Sequence, residues 1–310
     1  MSHNKPWEKG VFLNDSEVFK LLTTQFSDLP LHSVKFLKDG WDSCAYEINT
    51  ELIFRLPKRQ EVAERLRGEI ALLPFLKQQR TILVPEFIYL GSPSDLYPFP
   101  FTGYKKLHGM DQTHARISLG PEDCFHLSTF LQSLHQINHQ KLPGFPVEEM
   151  DSEKIIQRAK QLIKRWIPIL KDKPQLFYAC QKFLDTFDWN SLNVPFSPCI
   201  IHNDLLPEHV LIQEGKISAI IDWGDTALGD PAIDYGGVGY CFGWDSMFLC
   251  LQLAGYSHDR RLINRSVLTV VCAALSDLDY GHHKGESVRI DFSLEKIHHF
   301  LTQYSYLTQP

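Results

Sequence analysis

Three residues in one short stretch have the types and spacing needed for group transfer to a hydroxyl. In CIIHNDLLPEHVLIQEGKISAIIDWGDTALGDPAID, residues 199–234, the acid Asp204 is followed five places later by His209, and a second acid, Asp222, closes the next apolar run. Phosphoryl transfer asks little covalent chemistry of a protein; it must position a hydroxyl, a nucleotide and magnesium. One carboxylate takes the acceptor's proton, and a second carboxylate with a loop residue holds metal between the phosphates. Here Asp204 is the expected base, and His209 and Asp222 the expected metal ligands.

The elements around these residues must bring them together. Val210 to Ile212 and Ile217 to Ile221 are apolar runs separated by Gln213-Glu214-Gly215-Lys216, whose glycine supplies the positive φ of a tight turn. The expected hairpin returns Asp222 to the rim where Asp204 and His209 lie. Asp204 and His209 also reproduce the D-x-x-x-x-N spacing of protein kinase catalytic loops, with histidine in place of asparagine. Magnesium prefers oxygen ligands, whereas a neutral imidazole also suits manganese. The expectation is therefore metal-dependent activity that tolerates Mn²⁺ and weakens on acidification, because a protonated histidine cannot bind metal.

HNDLLPEHV followed by IIDWGD and GDPAID resembles the aminoglycoside and macrolide phosphotransferases, antibiotic kinases with the protein-kinase-like fold. The resemblance implies an α+β, two-lobe architecture: a small antiparallel-sheet N-lobe that binds nucleotide and a mainly helical C-lobe that carries catalysis and acceptor binding. It further implies Asp204 as catalytic base, His209 and Asp222 as ligands of Mg²⁺, and His202 as a support for the loop. Asp225, Asp230 and Asp234 read as helix caps and loop fixers.

Upstream, the chain fits that plan. A capped helix over SEVFKLLTTQF precedes three strand-like runs, Val34 to Leu37, Cys44 to Ile48 and Leu52 to Leu56. The turn KDGWDSCAY stands where kinases place a glycine-rich phosphate cover, yet it holds only Gly40; Ser43 and the nearby amides are the expected phosphate contacts. Arg55 occupies the place of the kinase strand lysine, with Glu69 on the next helix, about Val62 to Gln79, as its expected partner. Pro85 to Leu90 and Phe101 to Lys105 are further strands. The N-lobe is expected over 1–105, with a hinge at 104–109 where backbone groups of Lys105 and Leu107 hold the purine. Tyr104 would gate the base pocket; by the resemblance, its bulk favours guanine and so GTP over ATP.

The C-lobe is expected over 106–310, with a helical insert at about 148–187 (Glu149 to Ile169 and Pro174 to Phe187) and helices near 246–253, 258–276 and 294–307. Trp244, Asp245, Asp277, Asp279 and Tyr280, acids mixed with aromatics, are the expected acceptor contacts. They suit an aminoglycoside, a macrolide, or a housekeeping alcohol or amine, since a fold does not fix a substrate. Two other classes fit parts of the pattern. A metal-dependent hydrolase could use His202, Asp204, His209 and Asp222 as four ligands, and a nucleotide-binding pseudoenzyme would explain the missing glycine-rich loop.

Composition limits the alternatives. The 310 residues carry a formal charge of −6, with pI about 6.1, which argues against nucleic-acid binding. Of the 37 acidic residues, 24 follow Gly103 against 19 of the 31 basic ones, which mildly favours a cationic acceptor in the second part. Seven widely spaced cysteines read as free thiols, and no apolar run is long enough for a membrane span, so a cytoplasmic protein without membrane partners is expected.

Overall fold

The computed structural model describes residues 10–78, 81–142, 152–168, 170, 173–192 and 196–307. The chain forms two compact units. The first contains the chain up to His108, a short stretch near residue 140, and Trp223–Asp225; the second contains the remainder.

The first unit is built on a five-stranded antiparallel sheet in the order β1-β2-β3-β5-β4, from Val34–Asp39, Ser43–Ile48, Leu52–Pro57, Phe101–Lys105 and Phe87–Gly91. Helix α1, Asp15–Gln25, begins with a capping box in which Asn14 accepts from the Glu17 amide and Glu17 accepts from the Asn14 amide. Its Val18, Leu21 and Leu22 bury against Tyr46, Phe54 and Phe101 of the sheet. Strand alternation sends Phe54 and Leu56 into this core and turns Arg55 to the opposite face. Helix α2, Gln60–Leu76, presents Glu69 there, and Pro74 falls in its last turn, where the backbone bond from Lys77 to Leu73 still forms.

The second unit is mainly helical and satisfies the expected fold class. Two small antiparallel ribbons support its loops: β6 (Met110–Asp111) with β8 (Val210–Gln213) and β9 (Lys216–Ile220), and β7 (Cys199–Ile201) with β10 (Ala227–Gly229). The β8–β9 turn has Glu214 and Gly215 both at positive φ, the two-residue hairpin geometry. Helices are α3 (Gln112–Ala115), α4 (Pro121–His135), α5 (Ser152–Trp166), α6 (Pro174–Thr186), α7 (Ala232–Phe242), α8 (Trp244–Leu253), α9 (Arg260–Lys284) and α10 (Ser287–Leu307). Positions 148–151, 169, 171 and 172 of the expected insert, and Gln79 of the expected small-lobe helix, lie outside the described residues.

Helix α7 is the element the sequence hid. Its glycines make it look like a loop, yet its residues are almost all buried. A Cβ on Gly237 would stand 2.6 Å from the Leu205 carbonyl, so glycine there lets the 202–206 loop lie directly on the helix. Among the described residues no helix is long and apolar enough to cross a membrane, and all seven cysteines are free.

Candidate active site

The loop after β7 is pinned by one buried carboxylate. Asp234, in the first turn of α7, accepts from the backbone N–H groups of His202 and Asn203 at 3.0 Å each and from His135 Nε2 at 2.9 Å. A carboxylate with no solvent exposure needs this many donors to offset its desolvation. Asp230 accepts from the Ala232 amide at 3.0 Å and meets Arg265 of α9. Both acids therefore fix backbone, as expected from their place in the sequence.

His202 is fully buried and connects the two strands of the site. Its Nε2–H donates to the Ile221 carbonyl at 3.1 Å, and its Nδ1 accepts from the Asp204 amide at 3.3 Å. Burial pushes its pKa down to about 4, so the ring is neutral. With both nitrogens engaged, His202 has no lone pair for a metal. The four-ligand hydrolase arrangement is thereby removed, and among the described residues no group of three or more His, Cys, Asp or Glu side chains is placed to hold an ion.

His209 ends a 3-10 turn, Pro207–His209, and its carbonyl accepts from the Ile221 amide at 2.9 Å. That bond extends the β8–β9 ribbon by one step and brings Asp222 beside the histidine. The ring is oriented by Nδ1–H donating to the Asp204 carbonyl at 2.8 Å. Its Nε2 then lies 3.6 Å from Asp222 Oδ2 and 3.4 Å from Glu208 Oε1. Asp204 Oδ2 is 3.3 Å from His209 Nδ1. The His209 ring is thus within 3.6 Å of both Asp204 and Asp222, one at each nitrogen. Asn203 and Asp222 both adopt left-handed backbone, φ +67 and +62, which costs energy outside glycine and clusters at functional loops. One imidazole nitrogen and one half-exposed carboxylate could hold a divalent cation, a mixed pair that Mn²⁺ accepts more readily than Mg²⁺.

In the first unit, Arg55 Nη1 and Glu69 Oε2 form a buried pair at 3.0 Å. Arg55 is in register with Ala45 and Thr102, at the centre of the sheet. The Lys106 N–H donates to the Glu51 carbonyl at 2.7 Å, so alternation turns the Lys105 carbonyl away from β3. Tyr104 is buried with its ring 5.9 Å from that of Phe87. Ser43 opens β2, and its carbonyl accepts from the Gly40 amide at 3.1 Å. The turn before it is held through Asp39 and Asp42 by Lys58 and Arg59.

The expected acceptor contacts do not form one open cluster, and Asp277 is buried between Arg289 and the Tyr240 hydroxyl. Trp244 is buried, its ring 4.8 Å from Phe300 and stacked near Phe248, so it packs the core and offers no face to a ligand. Asp245 is exposed at the start of α8. Asp279 pairs with Arg165 at 2.7 Å, and Tyr280 lies under Arg289, whose Cζ is 4.8 Å from the ring centre. Sequence reasoning passed over Glu208 and Arg289, which with Asp277 surround His209 and its turn. Glu208 had a signal, its place beside a metal-ligand position; Arg289 had none.

Fold and loop together define a kinase-like phosphotransferase. The model of the phosphotransferase enzyme family matches residues 33–265, and the chain belongs to that family. It is a phosphotransferase enzyme, and an alcohol group as acceptor fits this class.

Among known proteins, the chain is similar to a structure of the GDP and kanamycin complex of APH(2'')-IIIa, at 25% identity and TM-score 0.68, covering 94% of this chain and 99% of that one. It is also similar to the GDP complex of wild-type aminoglycoside 2'-phosphotransferase-IIIa, at 25% identity and TM-score 0.71, with 94% and 100% covered. A macrolide 2'-phosphotransferase type I shares the fold at 18% identity and TM-score 0.56, with 90% and 95% covered. The uncharacterized protein YcbJ of Bacillus subtilis (strain 168) is 26% identical over 191 residues, 59% of this chain; the match spans 60% of that relative's length.

Proposed function

We propose that the protein is a small-molecule kinase that transfers the γ-phosphoryl of GTP or ATP to a hydroxyl of an antibiotic-like acceptor, with an aminoglycoside as the leading acceptor class. The observation that carries this reading is the convergence of Asp204, His209 and Asp222 on one rim, with His209 Nε2 3.6 Å from Asp222 Oδ2. A macrolide is the second acceptor class to test, since a macrolide phosphotransferase shares the fold.

Asp204 accepts the proton of the attacking hydroxyl. Its carboxylate is partly exposed, and His209 Nδ1 at 3.3 Å restrains how it turns. His202 and Asp234 hold the backbone on which Asp204 sits. His209 Nε2 and Asp222 hold Mg²⁺, with Mn²⁺ tolerated because imidazole is a ligand for softer ions. When bound, the cation neutralises charge on the phosphate oxygens. Arg55, steadied by Glu69, donates its fork to phosphate, and Ser43 lies on the turn expected to cover the phosphates. The Lys105 carbonyl and Leu107 N–H hold the purine edge, with Tyr104 beside them. The aromatic bulk of Tyr104 supports GTP as the preferred donor.

Aminoglycosides lead because the solved structures at 25% identity over 94% of the chain are aminoglycoside enzymes. A coupled turnover screen with GTP and ATP against aminoglycosides, macrolides and small alcohols tests the proposal. The expected result is acceptor-dependent diphosphate release with at least one aminoglycoside, faster with GTP. Nucleotide binding without transfer to any acceptor would support a pseudoenzyme instead.

A further inference from the structure

Outside the residues matched by the family model, one buried charge reaches back to the candidate cation site. Arg289 on α10 is 8% exposed, and each of its guanidinium nitrogens meets a carboxylate. Nη2 meets Glu208 of the 3-10 turn, Nη1 meets Asp277 of α9, and Nε donates to Glu286 at 2.8 Å. The guanidinium also lies over the Tyr280 ring. Asp277 is fixed on its other oxygen by the Tyr240 hydroxyl of α7 at 2.7 Å, and that hydroxyl is 2.9 Å from Ser293 Oγ. Arg289 is therefore a rigid fork anchored by α9, α10 and, through Tyr240, α7.

What the fork holds is Glu208. With Oε2 on Arg289, the other oxygen of Glu208 lies 3.4 Å from His209 Nε2, the nitrogen turned toward Asp222. The opposite side of the imidazole is set by its bond to the Asp204 carbonyl. We propose that Arg289 is a positioning residue: by holding Glu208 it fixes the 3-10 turn that presents the His209 ring, so that Nε2 and Asp222 are preorganised for a divalent cation. An outer-shell partner that orients a ligand commonly changes metal affinity by about 10- to 100-fold when altered. This inference rests on the reading above that His209 and Asp222 hold the ion.

The test is Mn²⁺ binding to the full chain with GDP, followed by electron paramagnetic resonance, for the wild type, Arg289→Lys and Glu208→Gln. Lysine keeps the charge but loses the fork, and glutamine keeps the shape of Glu208 without its charge. Each variant is expected to weaken Mn²⁺ binding by about tenfold or more. GDP affinity without metal should stay within about twofold, and the double variant should be no weaker than the worse single one, as expected for residues acting in one chain. Thermal midpoints identify folded protein; if Arg289→Lys does not fold, Glu208→Gln decides alone. Wild-type binding with unchanged affinity in the folded variants overturns the role of Arg289. Wild-type protein that binds no Mn²⁺ with GDP overturns the cation reading, and this proposal with it.

Discussion

Acidification should destabilise the protein through His202, and the size of the effect follows from its surroundings. The ring is buried and neutral, its Nε2–H given to Ile221 and its Nδ1 taken up by the Asp204 amide. Its folded pKa is about 4, against an ordinary value of 6.5. A pKa depressed on folding contributes stability that is present above 6.5 and is lost as pH falls toward 4, because the unfolded chain gains a proton that the native one refuses. From about pH 7.5 to about pH 5, the unfolded imidazole takes up nearly a full proton and the native one about a tenth, which integrates to a loss of about 2 kcal/mol. Other groups titrate over this range, so the quantity to measure is a difference. Urea unfolding at both pH values, for the wild type and His202→Gln, should show the variant less stable near neutrality yet flatter in its pH dependence by about 2 kcal/mol. Equal pH dependence in the two proteins, to within about 0.5 kcal/mol, would refute the buried neutral ring and the loop geometry built on it.

Other outcomes follow from the same contacts. Asp234→Asn turns an amide toward three donors and should cost about 3 kcal/mol, seen as a thermal midpoint several degrees lower. Arg55→Lys loses the fork while keeping the charge, and should raise the nucleotide KM about tenfold with a smaller change in acceptor KM. An unchanged nucleotide KM would remove Arg55 from phosphate contact.

How much of this was legible in the sequence depended on how local the signal was. The β8–β9 hairpin announces itself through two apolar runs and Gly215, and the hairpin alone brings His209 and Asp222 together. The Arg55 and Glu69 pair follows from strand alternation and one helix turn, and the structure forms it at 3.0 Å. Helix α7 was missed because glycines at 236, 237 and 239 imitate a loop; their real purpose is close packing, which has no local signature. Trp244 was misjudged for a related reason. An aromatic next to an acid resembles a ligand platform, and only its burial against Phe300 shows it to be core. Arg289 looks like an ordinary helix-surface charge, and nothing short of the tertiary structure sets it between Asp277 and Glu208.

The most direct test of phosphoryl transfer from this site compares the wild type with Asp204→Asn in a paired assay of GTP turnover with an accepted acceptor and of GDP binding. Loss of the general base should lower turnover by about 10² to 10⁴ while GDP affinity stays within about twofold. An Asp204→Asn protein that transfers phosphoryl at the wild-type rate would contradict the account.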